Sequence, residues 1–353
     1  MGQAPDDLVS VIVPAYNASA TIAETLASAL QQTFANIEVI VIDDGSSDDT
    51  VAIVEQFMVK DGRVRLIKQP NGGVARARNA GIAAAEGTYI APLDADDLWH
   101  PTKIEKQLAA LVAAGDEYAL CYSPYRRIDE TSKVIDSSWC EGIEGWVLNR
   151  HLFHNFVGNG SSPLMRRDVV VALGGYDPDL RTQGHQGCED YLLQLLIARS
   201  WRYRCVPEYL VGYRFAQHSM SGAFRNMVGS FVLTYRKLLA VVSPRTRGTA
   251  EASLCRYLAL FARSRLQTGR FSQAFAALGD AMRVSPAKTA TALIAAGSDT
   301  LRVVARRLQP RGGVGASRNF YDYTPTEGLR QDTRPRDRRR FERLARLDTG
   351  PDL

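Results

Sequence analysis

Asp94-Ala95-Asp96-Asp97 follow directly on an apolar run, Thr88–Leu93, that reads as a strand. Side chains two apart on an extended chain project to one side. Asp94 and Asp96 could therefore share a hard divalent cation, which prefers oxygen ligands. Such a cation would take up a diphosphate and stabilise the charge that grows on it as a leaving group. A solvated acidic turn would carry the same residues, since Asp is common in turns. A second cluster, Asp43-Asp44-Gly45-Ser46-Ser47-Asp48, offers a carboxylate able to accept from an imide N–H such as uracil N3–H, beside a glycine that permits a tight turn. A capped loop, with Ser47 or Asp48 starting a helix, accounts for it equally. A third, Gly72-Gly73-Val74-Ala75-Arg76-Ala77-Arg78-Asn79, could bring backbone N–H groups and Arg to a phosphate. A fourth, Glu189-Asp190, opens a helix whose dipole stabilises carboxylates, and a lone carboxylate facing the metal could take the proton of an acceptor hydroxyl. First-turn charge decoration is its plainer reading. A fifth, Arg214 with His218-Ser219, makes His218 a candidate third metal ligand or phosphate contact. His151 and His154 lack further ligands nearby and read as surface or core histidines.

The elements that must position these residues alternate. Val9–Pro14, Ile37–Ile42, Val64–Ile67 and Thr88–Leu93 read as strands. Helices separate them, one begun by a capping box at Thr21-x-x-Glu24 and one running from the Gly-rich turn through Ala85. Regular alternation predicts βαβ units and a mostly parallel sheet. Ligands bind such sheets beyond the carboxyl ends of the strands, where Asn17, Asp43-Asp44 and Asp94–Asp97 fall. The Gly-rich segment is not GxGxxG and follows the third strand rather than the first, which disfavours a dinucleotide-dependent dehydrogenase. The expected organisation is 1–221 as an α/β domain, with a nucleotide half at about 8–100 and an acceptor half at about 115–221. A helical region follows at 222–308, then a basic tail at 309–353 with little order. Leu254 to Met282 reads as a helical hairpin turning near Thr268-Gly269-Arg270.

Composition bounds the class. The 353 residues are 45% hydrophobic and 23% charged, the mix of a globular chain. No stretch is apolar for eighteen residues, so no membrane-spanning helix is expected. The N-terminus lacks the pattern of a secretory signal, and Asp6 spoils a myristoylation site. Cys121, Cys140, Cys188, Cys205 and Cys255 form no CxxC pair, which predicts buried thiols in a reducing cytoplasm. The net charge of +5 is concentrated in Arg after Arg302. Such a basic end suits solvent, nucleic acid or anionic lipid.

Taken in order, VSVIVPAYN (Val9–Asn17), DDGSSD (Asp43–Asp48), ARNAG (Ala77–Gly81), DADD (Asp94–Asp97), GGYD (Gly174–Asp177) and Glu189-Asp190 resemble the family 2 glycosyltransferases over about residues 8–220. The resemblance implies a GT-A fold, Rossmann-like and mostly parallel, flanked by helices. It implies a nucleotide-diphosphate-sugar donor, probed first as a UDP-sugar, with Mn²⁺ or Mg²⁺ as cofactor and inversion at the anomeric centre. On it Pro14 and Tyr16 line the base pocket with Asn17 beside them, and Asp44 pairs with the base with Asp43 close by. Arg78 supports the nucleotide side, Asp94 and Ala95 contact ribose or diphosphate, Asp96 and His218 ligate the metal, Asp190 is the general base and Glu189 helps bind the acceptor. The Q-x-x-R-W motif and membrane helices of the processive synthases are lacking. That points to addition of one sugar in lipopolysaccharide, capsule or exopolysaccharide assembly, on a saccharide or lipid-linked acceptor. The expected setting is cytoplasmic, at the inner membrane face if the basic helices and tail touch lipid, with no nucleic-acid partner. An inactive scaffold, or a nucleotidyltransferase, would share parts of this pattern. The latter carries a Gly-rich, Lys-containing loop after its first strand, where this chain has Ala15-Tyr16-Asn17.

Overall fold

The computed structural model describes residues 7–182, 187–215, 224–307, 318–329 and 338–353. The chain begins with β1 (Val9–Ala15), α1 (Ile22–Leu30), β2 (Ile37–Asp43), α2 (Thr50–Lys60), β3 (Val64–Lys68), α3 (Val74–Ala84) and β4 (Tyr89–Pro92). It continues with β5 (Leu98–Trp99), α4 (Lys103–Ala114), β6 (Tyr118–Tyr122), β7 (Tyr125–Ile128), β8 (Val134–Ser137), α5 (Leu148–Phe153), β9 (Leu164–Arg166), α6 (Arg167–Ala172) and α7 (Asp179–Thr182). Then come α8 (Glu189–Ser200), β10 (Arg202–Cys205), β11 (Val211–Arg214) and the helices α9 (Phe224–Leu239), α10 (Pro244–Gln267), α11 (Phe271–Val284) and α12 (Pro286–Arg307). A 3-10 turn at Phe320–Asp322 and α13 (Arg338–Ala345) follow.

β1 and β2 are runs of Val and Ile buried along their whole length, as a sheet covered on both faces requires. The main sheet has the order β10-β6-β9-β4-β1-β2-β3. β9 runs antiparallel to both its neighbours; the other pairings are parallel. The expected mostly parallel α/β fold is therefore the observed one. A smaller sheet, β5-β11-β7-β8, stands at the carboxyl end of β4. The packing of α3 is tight enough to exclude a side chain at Gly81: a Cβ there would lie 2.5 Å from Ile12 and 2.6 Å from Ile42.

The expected capping box at Thr21-x-x-Glu24 does not form. Thr21 does not cap α1; its hydroxyl donates to the Ala95 and Ala18 carbonyls. Glu24 reaches away from its own helix to Ser132 and Arg214. The helices from residue 224 onward pack on the α/β body. Val232, Tyr235, Leu254 and Leu258 belong to the same hydrophobic core as Ile12, Leu120 and Tyr191. The hydroxyls of Tyr191 and Tyr235 lie 2.9 Å apart and within hydrogen-bond reach of the carbonyls of His151 and Leu152, so that two protons serve these contacts and fasten α9 to α8 and α5.

Residues 318–329 and 338–353, within the span whose composition suggests little order, are anchored to the body. Phe320 is buried against Leu98, Ile128 and Val134. Arg126, sandwiched by Tyr209 and Tyr323, donates to the carbonyls of Thr324 and Glu327. Asp348 receives the N–H of Asn149 and the guanidinium of Arg150. A polar, Arg-rich composition hides these few anchors because each is a single residue.

Gly81→Ala tests how closely α3 docks. Alanine gains about 1 kcal/mol of helix propensity, but the collision with Ile12 and Ile42 costs about 1–3 kcal/mol. The expected outcome is a lower midpoint in urea; a raised midpoint would show that α3 has slack over the sheet.

Candidate functional site

The parallel strands end together. Ala15 of β1 is level with Asp43 of β2, and Ile12 with Pro92 of β4, so three loops open on one edge. Tyr16 is exposed there. Asn17 adopts φ 48°, and its amide oxygen accepts from the Ser47 N–H at 2.8 Å. Asn17 thus ties the first loop to the second. Pro14 is buried within β1, and Asp43 accepts from the Ser46 N–H at 3.2 Å. Asp44 is nearly saturated: Oδ1 accepts from Gln69 and from the Gly72 N–H, Oδ2 from the Gly73 N–H at 2.7 Å. The backbone donors foreseen as a phosphate cradle are thus turned onto a carboxylate of the protein. A carboxylate has about four lone-pair positions, so Asp44 Oδ2 retains one for an N–H of a ligand.

Asp94 to Asp97 form a turn, closed by the Asp97 N–H on the Asp94 carbonyl at 3.0 Å, rather than the extended pair the sequence suggests. The turn is pinned at both ends. Asp97 is wholly buried and accepts from the Ser161 hydroxyl and the Arg214 N–H. The Arg214 guanidinium donates to the Asp96 carbonyl, the Asp129 carbonyl, Glu24 and Ser132. Asp94 Oδ1 accepts from Arg78, and the other face of that guanidinium holds Glu189 at 2.9 Å. Arg78 is buried, stacks over Tyr176 and lies so close to Gly160 that a Cβ there would sit 2.8 Å from its Nη2. The Asn79 amide clamps the backbone N–H and carbonyl of Tyr176, fixing that ring.

Glu189 and Asp190 begin α8, after Cys188 in the left-handed region at φ 72°. Asp190 accepts from the Tyr191 N–H at 2.7 Å. Burial, and then the charge of Glu189, push its carboxyl up to about 6, with Arg78 opposing. Asp96 is pushed up to about 6 by burial and by Asp94. Desolvation works against the Arg78 charge, but Asp94, Tyr176 and Glu189 hold its pKa well above the ordinary value.

The structure thus joins Arg78, Asp94, Glu189 and Asp190 into one electrostatic group, with Asp96 and Ala95 on the adjoining turn. Asp43, Asp44 and Asn17 line the neighbouring loops, and His218 lies outside the described residues. His151 is core, buried against Phe156 and Tyr191 and held neutral, its pKa down at about 3. Ser161 and Gly160 escape sequence reasoning because nothing in their local pattern links them to a turn 64 or more residues away, and Tyr176, though part of the GGYD motif, receives no role from the sequence. Among the described residues no group of three or more His, Cys, Asp or Glu surrounds a common point. The donor set is two carboxylates, those of Asp94, whose Oδ1 accepts from Arg78, and Asp96. Hard oxygens with mutual repulsion fit a divalent cation whose remaining ligands come from substrate and water.

Residues 10–172 match Glycosyl transferase family 2. An uncharacterised glycosyltransferase of Rickettsia felis is 42% identical over 193 residues, 55% of this chain and 30% of that protein, so the chain spans less than a third of that relative's length. The S. aureus TarS 1-349 structure in complex with UDP superposes with a TM-score of 0.60 at 19% identity, covering 91% of this chain and 99% of that one. Mannosyltransferase PcManGT from Pyrobaculum calidifontis, in complex with GDP-Man and Mn²⁺, superposes at 0.54 with 21% identity over 83% of this chain and 79% of that one. These likenesses establish the fold as GT-A type.

Two predictions follow from the charge pattern. Arg78→Met, which keeps the bulk but leaves Asp94 and Glu189 uncompensated, lowers stability by about 3–5 kcal/mol in urea unfolding at neutral pH. Asp190→Asn does the opposite: a carboxyl raised from 3.8 to about 6 favours the folded state at low pH and loses that advantage as pH rises through 6. The variant should melt higher than the parent at pH 7.5 and equally near pH 4. A difference that persists at low pH would assign the effect to something other than ionisation.

Proposed function

We infer, from a chain whose residues 10–172 belong to glycosyl transferase family 2, that the protein moves one sugar from a nucleotide-diphosphate donor, a UDP-sugar, to the hydroxyl of a saccharide or lipid-linked saccharide, with inversion. The reading places it in cell-surface polysaccharide or lipopolysaccharide assembly. The observation that carries it is the Arg78 bridge, which sets the Asp94–Asp97 turn beside the start of α8 although 111 residues separate Arg78 from Glu189.

Roles follow from position. Tyr16 and Pro14 would wall the base, the remaining lone pair of Asp44 would accept its N–H, and Asp43 would support the loop. Asp94 and Asp96, with His218 to complete the set, would hold Mn²⁺ or Mg²⁺, which when bound supplies positive charge to the diphosphate. Asp190 takes the proton of the acceptor hydroxyl. The acceptor oxygen forms the new bond to the anomeric carbon from the side opposite the diphosphate. The old carbon–oxygen bond breaks and its electron pair leaves with the diphosphate. A carboxyl at about 6 is well matched to this task, being ionised at neutral pH yet more basic than a free aspartate. Glu189, held by Arg78, keeps the negative potential that raises it.

Asp190→Asn should retain the Mn²⁺-dependent thermal shift given by UDP while transfer falls by about 10²–10⁴-fold. In the parent, kcat/KM should rise with pH through about 6. Asp96→Ala should lose the shift itself. Transfer that survives in Asp190→Asn would remove the general-base assignment; no shift with any of UDP, GDP, TDP or CDP would remove the donor site.

A further inference from the structure

Charge is distributed very unevenly along the chain. Residues 1–223 hold nineteen Lys and Arg against twenty-eight Asp and Glu, a net −9. Residues 224–307, the α9 to α12 region, hold fourteen Lys and Arg against three Asp and Glu, a net +11. The three acidic side chains are Glu251, Asp280 and Asp299; Glu251 is spent on Lys288 and Asp280 on Arg236 and Arg283. Most of the positive charge therefore has no counter-charge within the region.

The same region exposes apolar side chains in a pattern. On α11 the buried face is Ala274, Ala277 and Ala281, small residues that let the helix approach α10 closely. Phe271, Phe275 and Met282 stand 59%, 67% and 49% exposed. At 100° per residue they fall within about 40° of one another on the helix, so they form one stripe. Leu266 is exposed at the turn leading into α11, beside Arg265 and Arg270, and Ile294 is 76% exposed on α12. Scattered single apolar residues need no explanation, but two phenylalanines in register on a basic helical region do. No described helix is long and apolar enough to cross a membrane.

We propose that the α11 stripe, with Leu266 and the surrounding Arg, docks on the surface of a bilayer rich in anionic lipid. Aromatic and aliphatic side chains on one face, with Arg at its margins and low overall hydrophobicity, are the makeup of an interfacial helix. Each basic residue near such a surface adds attraction that salt screens. A protein partner would have to be both strongly acidic and apolar to match the face. An anionic bilayer provides both properties, with headgroup charge over an acyl interior.

The test uses the full chain and phosphatidylcholine vesicles with or without phosphatidylglycerol, read by co-sedimentation. The protein should pellet with the anionic vesicles at low salt, much less at high salt, and little with phosphatidylcholine alone. Phe271→Ser with Phe275→Ser should weaken the partition about tenfold or more. Because both rings are exposed, the variant should keep the parent's melting curve and its UDP–Mn²⁺ thermal shift, so a failed membrane site is told apart from a failed donor site. Equal sedimentation of variant and parent, or no binding to anionic vesicles at low salt, overturns the proposal. So does light scattering that shows a dimer in the parent and a monomer in the variant, which would give the stripe to a second copy of the chain.

Discussion

A guanidinium shut away from water between two carboxylates is the constraint on which the site depends. Arg78 cannot shed its charge, so its burial demands partners, and it finds Asp94 on one loop and Glu189 at the start of α8. Gly160 and Tyr176 pack closely against it. The consequence is mechanical as well as electrostatic. The turn that carries Asp94 and Asp96 and the helix end that carries Asp190 move together or not at all.

Arg214 does the same work from the opposite side. Its fork spans the Asp96 carbonyl, Asp129, Glu24 and Ser132, and its N–H meets buried Asp97. The turn is thus suspended between two buried arginines, yet the carboxylates still outnumber them. Asp94, Asp96, Asp97, Glu189 and Asp190 crowd Arg78 and Arg214, and the pKa values of Asp96, Asp97 and Asp190 are raised first by burial and then by the neighbouring carboxylates. A site short of cations is tolerated where a ligand supplies one.

How much of this could be read in the sequence follows the range of the interaction. The strands were legible because apolar runs of Val and Ile make burial a local property, and the carboxylates at their ends follow from chain order. Asp97 looks like Asp94 and Asp96 in the sequence, yet its partners Ser161 and Arg214 lie 64 and 117 residues away, and only the fold turns it into a structural strut. Asp44 reads as open to a ligand until Gly72 and Gly73 are seen to fold back on it. Thr21 and Glu24 satisfy a capping-box pattern, but Ala95 and Arg214 offer stronger partners than the helix end does. The anchors of the C-terminal chain, Phe320 and Asp348, are single residues in polar surroundings, and composition averages them away.

The shared core gives the helical region a bearing on the chemistry. α8 presents Glu189 and Asp190 at its first turn, while further along it Tyr191 bonds Tyr235 of α9 and packs on Phe231. Phe231 and Tyr235 in turn stack on Tyr257 of α10, the helix against which α11 lies. From the α11 face to the proposed base the path runs through packed aromatic rings and paired hydroxyls, with no linker along it. Close-packed interiors transmit displacement instead of absorbing it. A surface held on α11 would therefore hold α8 as well, and with it the start of the helix where an acceptor hydroxyl has to arrive. Residues 1–223 at −9 share that core with residues 224–307 at +11, so anionic headgroups would draw the helical region and repel the rest of the body.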